Sequence, residues 1–244
     1  MGGLLTDTNA RASTKEADME VTAVIVARGG SKRLPRKNLL KINGESLLGR
    51  KVRQLLAAER IDRVVVGSDD DEILQEADAA GAEPVRRPDF FCDEAHASAN
   101  QMIGNMCNLI ESDVIVWAHC TNALLSAGTY DRAVTAYAEA RSAGYDSLLS
   151  VSILREHLWD ANKKPYNYDP YGETHPLAST LPPLYAQDGG IFIQPHAQMA
   201  ANSYFFGVKP WLFEVPHDEL LDINTPHEFA IAKAYIEASE EPRK

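Results

Sequence analysis

The stretch from Val24 to Asn38, VIVARGGSKRLPRKN, places Arg28, Lys32, Arg33, Arg36 and Lys37 directly behind an apolar run, with Gly29 and Gly30 between the first two cations. These are the ingredients of a phosphate site. Guanidinium and ammonium groups donate charge-assisted hydrogen bonds, and glycines allow main-chain N–H groups to come close to a ligand. A triphosphate, with about four negative charges, would engage several of these donors at once. The spacing is neither G-x-x-x-x-G-K-[ST] nor G-x-G-x-x-G, which disfavours both a P-loop and a dinucleotide-binding turn. A solvated basic turn is the alternative on charge pattern alone.

Such a loop needs a strand to deliver it. Val21–Ala27, Arg63–Ser68, Asp113–His119 and Ser147–Ser152 are short apolar runs rich in β-branched residues, and they read as buried strands. Leu47–Glu59, Asp71–Ala80, Ser98–Ile110 and Thr129–Ala143 read as the helices between them. The alternation predicts an α/β fold, a mostly parallel sheet covered on both faces in three layers, with ligands gathering at the carboxyl ends of the strands. That position argues against an idle basic turn. From Arg155 to Pro183 the chain is rich in Pro, Tyr, Asn, His and Asp without a period, a length expected of a functional flap or lobe. The strand pattern resumes at Gly189–Ile193 and Pro210–Val215, and a last helix is expected over about Pro226–Ala238. Residues 1–19 and 239–244 are polar and aperiodic, and are expected to be tails without fixed structure.

The balance of charge narrows the partners. A net charge of −11 over 244 residues, with positive charge concentrated in one loop, predicts no nucleic-acid partner, because phosphate backbones are gripped by broad basic surfaces. Cys92, Cys107 and Cys120 form no C-x-x-C pattern, so neither a disulfide framework nor a zinc site is expected, and a reducing cytoplasm fits best. No apolar run approaches the roughly 20 residues of a membrane span, so no membrane partner is expected. MGGLLT at Met1–Thr6 formally matches a myristoylation pattern, but no polybasic patch follows it.

Five segments carry a resemblance. AVIVARGGSKRLPRKNLLKINGESLLGRKV, DRVVVGSDDDEI, VRRPDFFCDEA, YAQDGGIFI and LLDINTPHEFAIA, in this order from about Val21 to Ala238, resemble the CTP-dependent acylneuraminate cytidylyltransferases, the CMP-sialic acid synthetases. The resemblance implies a Rossmann-like nucleotidyltransferase domain over 20–238, with an inserted flap or dimerisation segment at about 155–187. It further implies a homodimer, CTP as donor and a sialic-acid-like 2-keto sugar acid as acceptor. Arg28, Gly29, Gly30, Ser31, Lys37 and Asn38 are implied to hold the nucleotide, with Arg87 near the base. Where the family has a magnesium-binding D-I-D, this chain has Asp222, Ile223 and Asn224, which implies Mg2+ held by Asp222 and, through an uncharged amide oxygen, Asn224. Thr225, Pro226 and Glu228 read as a capping box, which puts that pair in a strand-to-helix turn.

On the acceptor side the chain departs from the family. HCTNA at His119–Ala123 stands for Q-P-T-S-P, Asp188 stands for Asn, and no arginine lies between Arg155 and Arg243 to clamp a sugar carboxylate. The acceptor candidates are therefore His119, Thr121, Asn122, Gln187 and Asp188. The resemblance implies an active cytidylyltransferase in which Arg28, Lys37 and Asp222 carry the chemistry. A catalytically decayed nucleotide-binding homologue and a sister nucleotidyltransferase with a different acceptor are the alternatives.

Overall fold

The computed structural model describes residues 19–31 and 33–240. The tail readings of 1–18 and 241–244, the lipidation pattern and Lys32 lie outside the described residues. Strand β1 (Val21–Val26) leads through the cationic loop, a 3-10 turn at Lys37–Leu39 and a hairpin, β2 (Lys41–Ile42) and β3 (Glu45–Ser46), into helix α1 (Leu47–Leu56). There follow β4 (Arg63–Ser68), α2 (Asp71–Ala79), β5 (Glu83–Arg86), α3 (Ala99–Cys107), β6 (Val114–Ala118) and α4 (Ala127–Ser142). The chain then forms β7 (Ser147–Leu154), β8 (Leu184–Pro195), α5 (His196–Asn202), β9 (Pro210–Glu214) and α6 (Pro226–Glu240).

One seven-stranded sheet has the order β5-β4-β1-β6-β8-β7-β9. β8 pairs antiparallel with both β6 and β7, and every other pairing in this sheet is parallel. The reversal has a simple cause. Helices carry the chain back between parallel strands, whereas the segment after β7 re-enters the sheet at the end it left from. Side chains of β1 alternate between the two faces: Ala23 and Ile25 pack with Val52, Leu55, Ile73, Tyr130 and Ile236 from α1, α2, α4 and α6. Val24 packs on the other face with Ile103, Met106 and Met199 from α3 and α5, which makes the expected three layers.

Caps aim the helices. Asp70 accepts from Glu72 N and Ile73 N at the start of α2, Ser98 and Gln101 form a reciprocal capping box on α3, and Ser126 accepts from Thr129 N on α4. All three N-termini lie at the carboxyl edge of the sheet, with their positive dipole ends at that edge.

Several boundaries differ from the sequence reading. β5 and α5 were not expected: β5 carries Pro84 and is stable as an edge strand, and α5 has only seven residues, too short to show a period. β8 begins at Leu184, so the irregular segment ends at Pro183 rather than about 187. α6 runs past Ala238 to Glu240, whose carboxylate accepts from Asn43 at 2.9 Å and Arg50 at 2.6 Å. Within 155–183 the only regular features among the described residues are a Trp159–Pro165 bridge and a 3-10 turn at Ala178–Thr180. His157 stacks on His175, with Tyr168 edge-on to both, while Trp159, Tyr166, Tyr171 and Leu177 stay exposed. Among the described residues no helix is long and apolar enough to cross a membrane.

Candidate active site

A cleft of about 490 Å³ opens at the carboxyl ends of β1, β5 and β6. Its lining brings together Arg28, Ser31, Lys37, Asn38, Arg87, His119, Thr121 and Asn224, eight of the expected site residues from four separate parts of the chain.

The loop after β1 forms one wall. Arg28 pairs with the exposed carboxylate of Glu94 across the cleft mouth. Gly29 is required for a reason internal to the protein: a Cβ there would lie 2.3 Å from Asp70 Oδ2, the side chain that caps α2. A Cβ on Gly30 would meet nothing, so only Gly29 is constrained by the protein's own packing. Arg36 adopts a left-handed φ of 54° and is held by Asp70 at 2.8 Å and by Glu72. It is therefore a brace between the loop and α2, not the phosphate donor its charge suggested. Lys37 Nζ donates to Ile223 O at 2.9 Å and Asn224 Oδ1 at 3.3 Å. Burial lowers its pKa below the ordinary lysine value, and the nearby Asp222 charge works in the opposite direction. Asn38 donates to Arg28 O at 3.3 Å and so closes the loop on itself.

The opposite end is shaped by Arg87, which is 1% exposed. It donates to Asn105 Oδ1 at 3.1 Å, Met102 O at 3.2 Å, Phe91 O at 3.3 Å and Cys92 Sγ at 3.5 Å. A guanidinium has five N–H donors, so at most one remains for a ligand, and Arg87 contributes chiefly the shape of this wall. Burial pushes its pKa down. Phe91, Ser98, Ala99 and Met102 also line this end and were not read from the sequence. The signal was present in the S-x-x-Q capping box at Ser98–Gln101, which marks a helix N-terminus here.

On the acceptor side, His119 Nδ1 lies 2.6 Å from Gly189 O. A carbonyl only accepts, so Nδ1 carries the proton and Nε2 is the acceptor nitrogen of the neutral ring. Burial lowers the pKa of this imidazole and favours the neutral form. Thr121 lines the cleft, and its carbonyl accepts from Ile223 N at 3.0 Å, which ties this loop to the Asp222 turn. The other three acceptor candidates lie elsewhere. Asn122 is 5% exposed and donates to Asp188 O at 3.5 Å. Asp188 Oδ1 accepts from Ser150 Oγ and from Gly190 N, while its Oδ2 is buried without a hydrogen-bond partner among the described residues. Gln187 is exposed on β8 and does not line the cleft. Asn122 and Asp188 therefore support, from behind, the wall that carries His119 and Thr121.

The Asp222 turn is capped as expected: Glu228 accepts from Thr225 N at 2.8 Å and Thr225 Oγ1 accepts from Glu228 N at 3.3 Å. Asn224 Oδ1 accepts from Arg33 at 3.1 Å and from Lys37, while its Nδ2 donates to Asp222 Oδ2 at 2.5 Å. The amide oxygen thus faces two cations, and the amide N–H faces the carboxylate. A hard cation needs oxygens, so in this arrangement Asn224 does not fit as a magnesium ligand beside Asp222. Asp222 does fit, since magnesium is commonly held by one or two carboxylates with substrate phosphates and water. Among the described residues no group of three or more His, Cys, Asp or Glu side chains could hold a metal by itself.

A cation-bearing loop and three helix N-termini at the carboxyl edge of a mostly parallel sheet define an α/β protein built to receive an anionic ligand. Residues 22–230 match the model of the cytidylyltransferase family, and the chain belongs to that family. It is 25% identical over 232 residues to a pseudaminic acid cytidylyltransferase of Campylobacter jejuni, covering 91% of this chain and 99% of that one. It is 26% identical over 235 residues to a CMP-N,N'-diacetyllegionaminic acid synthase of Legionella pneumophila, again covering 91% and 99%. An N-acylneuraminate cytidylyltransferase of Oncorhynchus mykiss is 30% identical over 224 residues, 88% of this chain and 50% of that protein. Among solved structures, a CMP:2-keto-3-deoxy-manno-octonic acid synthetase complexed with CTP has the same fold, with a TM-score of 0.63 at 15% identity over 90% of this chain and 99% of that one.

Proposed function

We propose that this protein transfers CMP from CTP to the hydroxyl of a sialic-acid-like 2-keto sugar acid and releases pyrophosphate. The observation that carries this reading is the convergence of Arg28, Ser31, Lys37 and Asn38 with the Asp222–Asn224 turn and the His119–Thr121 loop around one cleft. The relatives named above act on acidic sugars, which favours an acid as acceptor. The acceptor hydroxyl attacks the α-phosphorus in line, and the protein contributes position and charge neutralisation. Arg28 exchanges the exposed Glu94 carboxylate for phosphate, and Lys37 keeps its place beside Ile223 O while it faces the triphosphate. His119 Nε2 offers a neutral acceptor to a sugar hydroxyl. Magnesium, held at Asp222, would neutralise phosphate charge and ease deprotonation of the attacking hydroxyl.

The reading includes a homodimer in the cytoplasm, formed through 155–183, for which the motive is the exposed Trp159, Tyr166, Tyr171 and Leu177. Pyrophosphate release from CTP, with magnesium and a panel of 2-keto sugar acids, tests the activity. Release with one of them supports it. CTP binding without release from any sugar acid would favour a decayed homologue, and release only with a non-acidic acceptor would favour a sister transferase. Light scattering at micromolar concentration tests the dimer, and a monomer would refute it.

A further inference from the structure

Helix α1 turns three side chains toward the loop that carries His119 and Thr121. Lys51 Nζ donates to Asn122 O at 2.8 Å, Gln54 Nε2 donates to Ala123 O at 2.8 Å, and Arg50 Nε donates to the same carbonyl at 3.2 Å. Lys51 is the unusual one. It is fully buried, its amine also donates to Tyr130 Oη at 2.9 Å, and among the described residues no carboxylate pairs with it. The titratable and charged groups around it are Arg50 on its own helix, His119 and Cys120 on the loop, Tyr130 on α4, Glu219 after β9 and, beyond Tyr130, Asp188 on β8.

We propose that Lys51 is a positioning residue for the acceptor: from behind, its amine fixes the Asn122 carbonyl and the loop bearing His119 and Thr121. It also sets a buried positive charge near a subsite that must take an acid without an arginine from residues 156–242. This rests on the acceptor reading given under Proposed function.

The energetics argue against a purely structural role. Burial lowers the Lys51 pKa to about 7, whereas an unfolded lysine titrates at about 10.4. Between those values the unfolded chain binds the extra proton. Lys51 therefore lowers stability at every pH below about 10, most fully below about 7, and stability recovers as pH rises between the two. A methionine of similar length would carry no such charge penalty but would leave the Asn122 carbonyl without this donor, so the reaction kinetics, not stability, separate the two roles.

The test is steady-state pyrophosphate release by wild type, Lys51→Met and Lys51→Gln from about pH 6 to 9, with CTP and the sugar acid varied separately. Lys51→Met should raise the acceptor KM about tenfold, the worth of one charge-assisted hydrogen bond, with the CTP KM within about twofold of wild type. Lys51→Gln, which keeps a donor without charge, should fall between them. In wild type the acceptor kcat/KM should decline as pH rises through about 7, and that limb should vanish in both variants. An unchanged acceptor KM, or acceptor and CTP KM values rising together, would overturn the proposal. If Lys51→Met does not fold, Tyr130→Phe removes one partner of the amine and should raise the acceptor KM alone, with the same overturning outcomes. A wild type that releases pyrophosphate with no acid defeats the functional reading and this proposal with it. An active wild type matched by its variants defeats this proposal only.

Discussion

The two halves of the cleft hold their polar groups in opposite ways. In the half proposed to take the nucleotide, Arg28 pairs with the exposed carboxylate of Glu94, where solvent screens the pair and exchange of partner is inexpensive, while Arg36 braces the loop through Asp70 and Glu72. In the acceptor half, Lys51, Asn122, Ser150 and Asp188 sit behind the wall in a largely buried network, where any unpaired group is costly. A triphosphate is recognised mainly by charge, and a screened, exchangeable set of cations suffices for it. A sugar acid is recognised by shape and by a few hydrogen bonds, so its wall must be rigid before it arrives.

Substitutions can break or sharpen this contrast. Asp222→Ala should produce the largest effect, a loss of turnover beyond about 100-fold, or roughly 3 kcal/mol of barrier, with metal-free CTP binding mostly retained. Turnover near wild type, with an intact magnesium requirement, would place the metal elsewhere. Lys37→Ala should raise the CTP KM by about 10- to 100-fold, because a charged donor faces phosphate in ground and transition states alike. An acceptor KM that rose equally would erase the boundary between the halves.

Asp188→Asn should act on the other half only. The amide oxygen keeps the bonds from Ser150 and Gly190, the buried charge disappears, and thermal unfolding should show a gain of about 1 kcal/mol, with the CTP KM unmoved. A loss of stability would mean that the buried Oδ2 is satisfied by water. Arg36→Ala should be the mildest: less than about 1 kcal/mol of stability and a CTP KM within about twofold, as befits partly exposed ion pairs. A tenfold rise in CTP KM would show that this guanidinium reaches phosphate after all.

Much of the fold was legible because its strands are buried on both faces. Val21–Val26, Arg63–Ser68 and Val114–Ala118 read as continuous β-branched runs and lie within a residue of their expected ends. β5 was not legible, since four residues including a proline become a strand only when β4 supplies the partner. In the site, the loop after β1 was found from its charge pattern, and the Asp222 turn from the family resemblance together with its capping box. Arg36 and Gln187 were placed by residue type and Asn122 by the resemblance, and none of the three lines the cleft. Lys51 was not singled out from the sequence, and only the packing of its helix against Tyr130 and the Asn122 loop buries it.

The division has a physical basis in separation along the chain. Backbone preference, helix caps and hydrophobic period depend on residues within about four positions, so the sequence alone determined the central strands, the starts of most capped helices and which loop carries the cations. What each cation meets depends on distant residues: Arg36 meets Asp70 across 34 positions, Arg28 meets Glu94 across 66, and Lys37 meets Ile223 across 186. Only the packed sheet brings those groups within hydrogen-bonding reach. The tertiary structure therefore decided which charges brace the protein and which remain to bind a substrate, because electrostatic and hydrogen-bond energies depend on distance in space, not on distance in sequence.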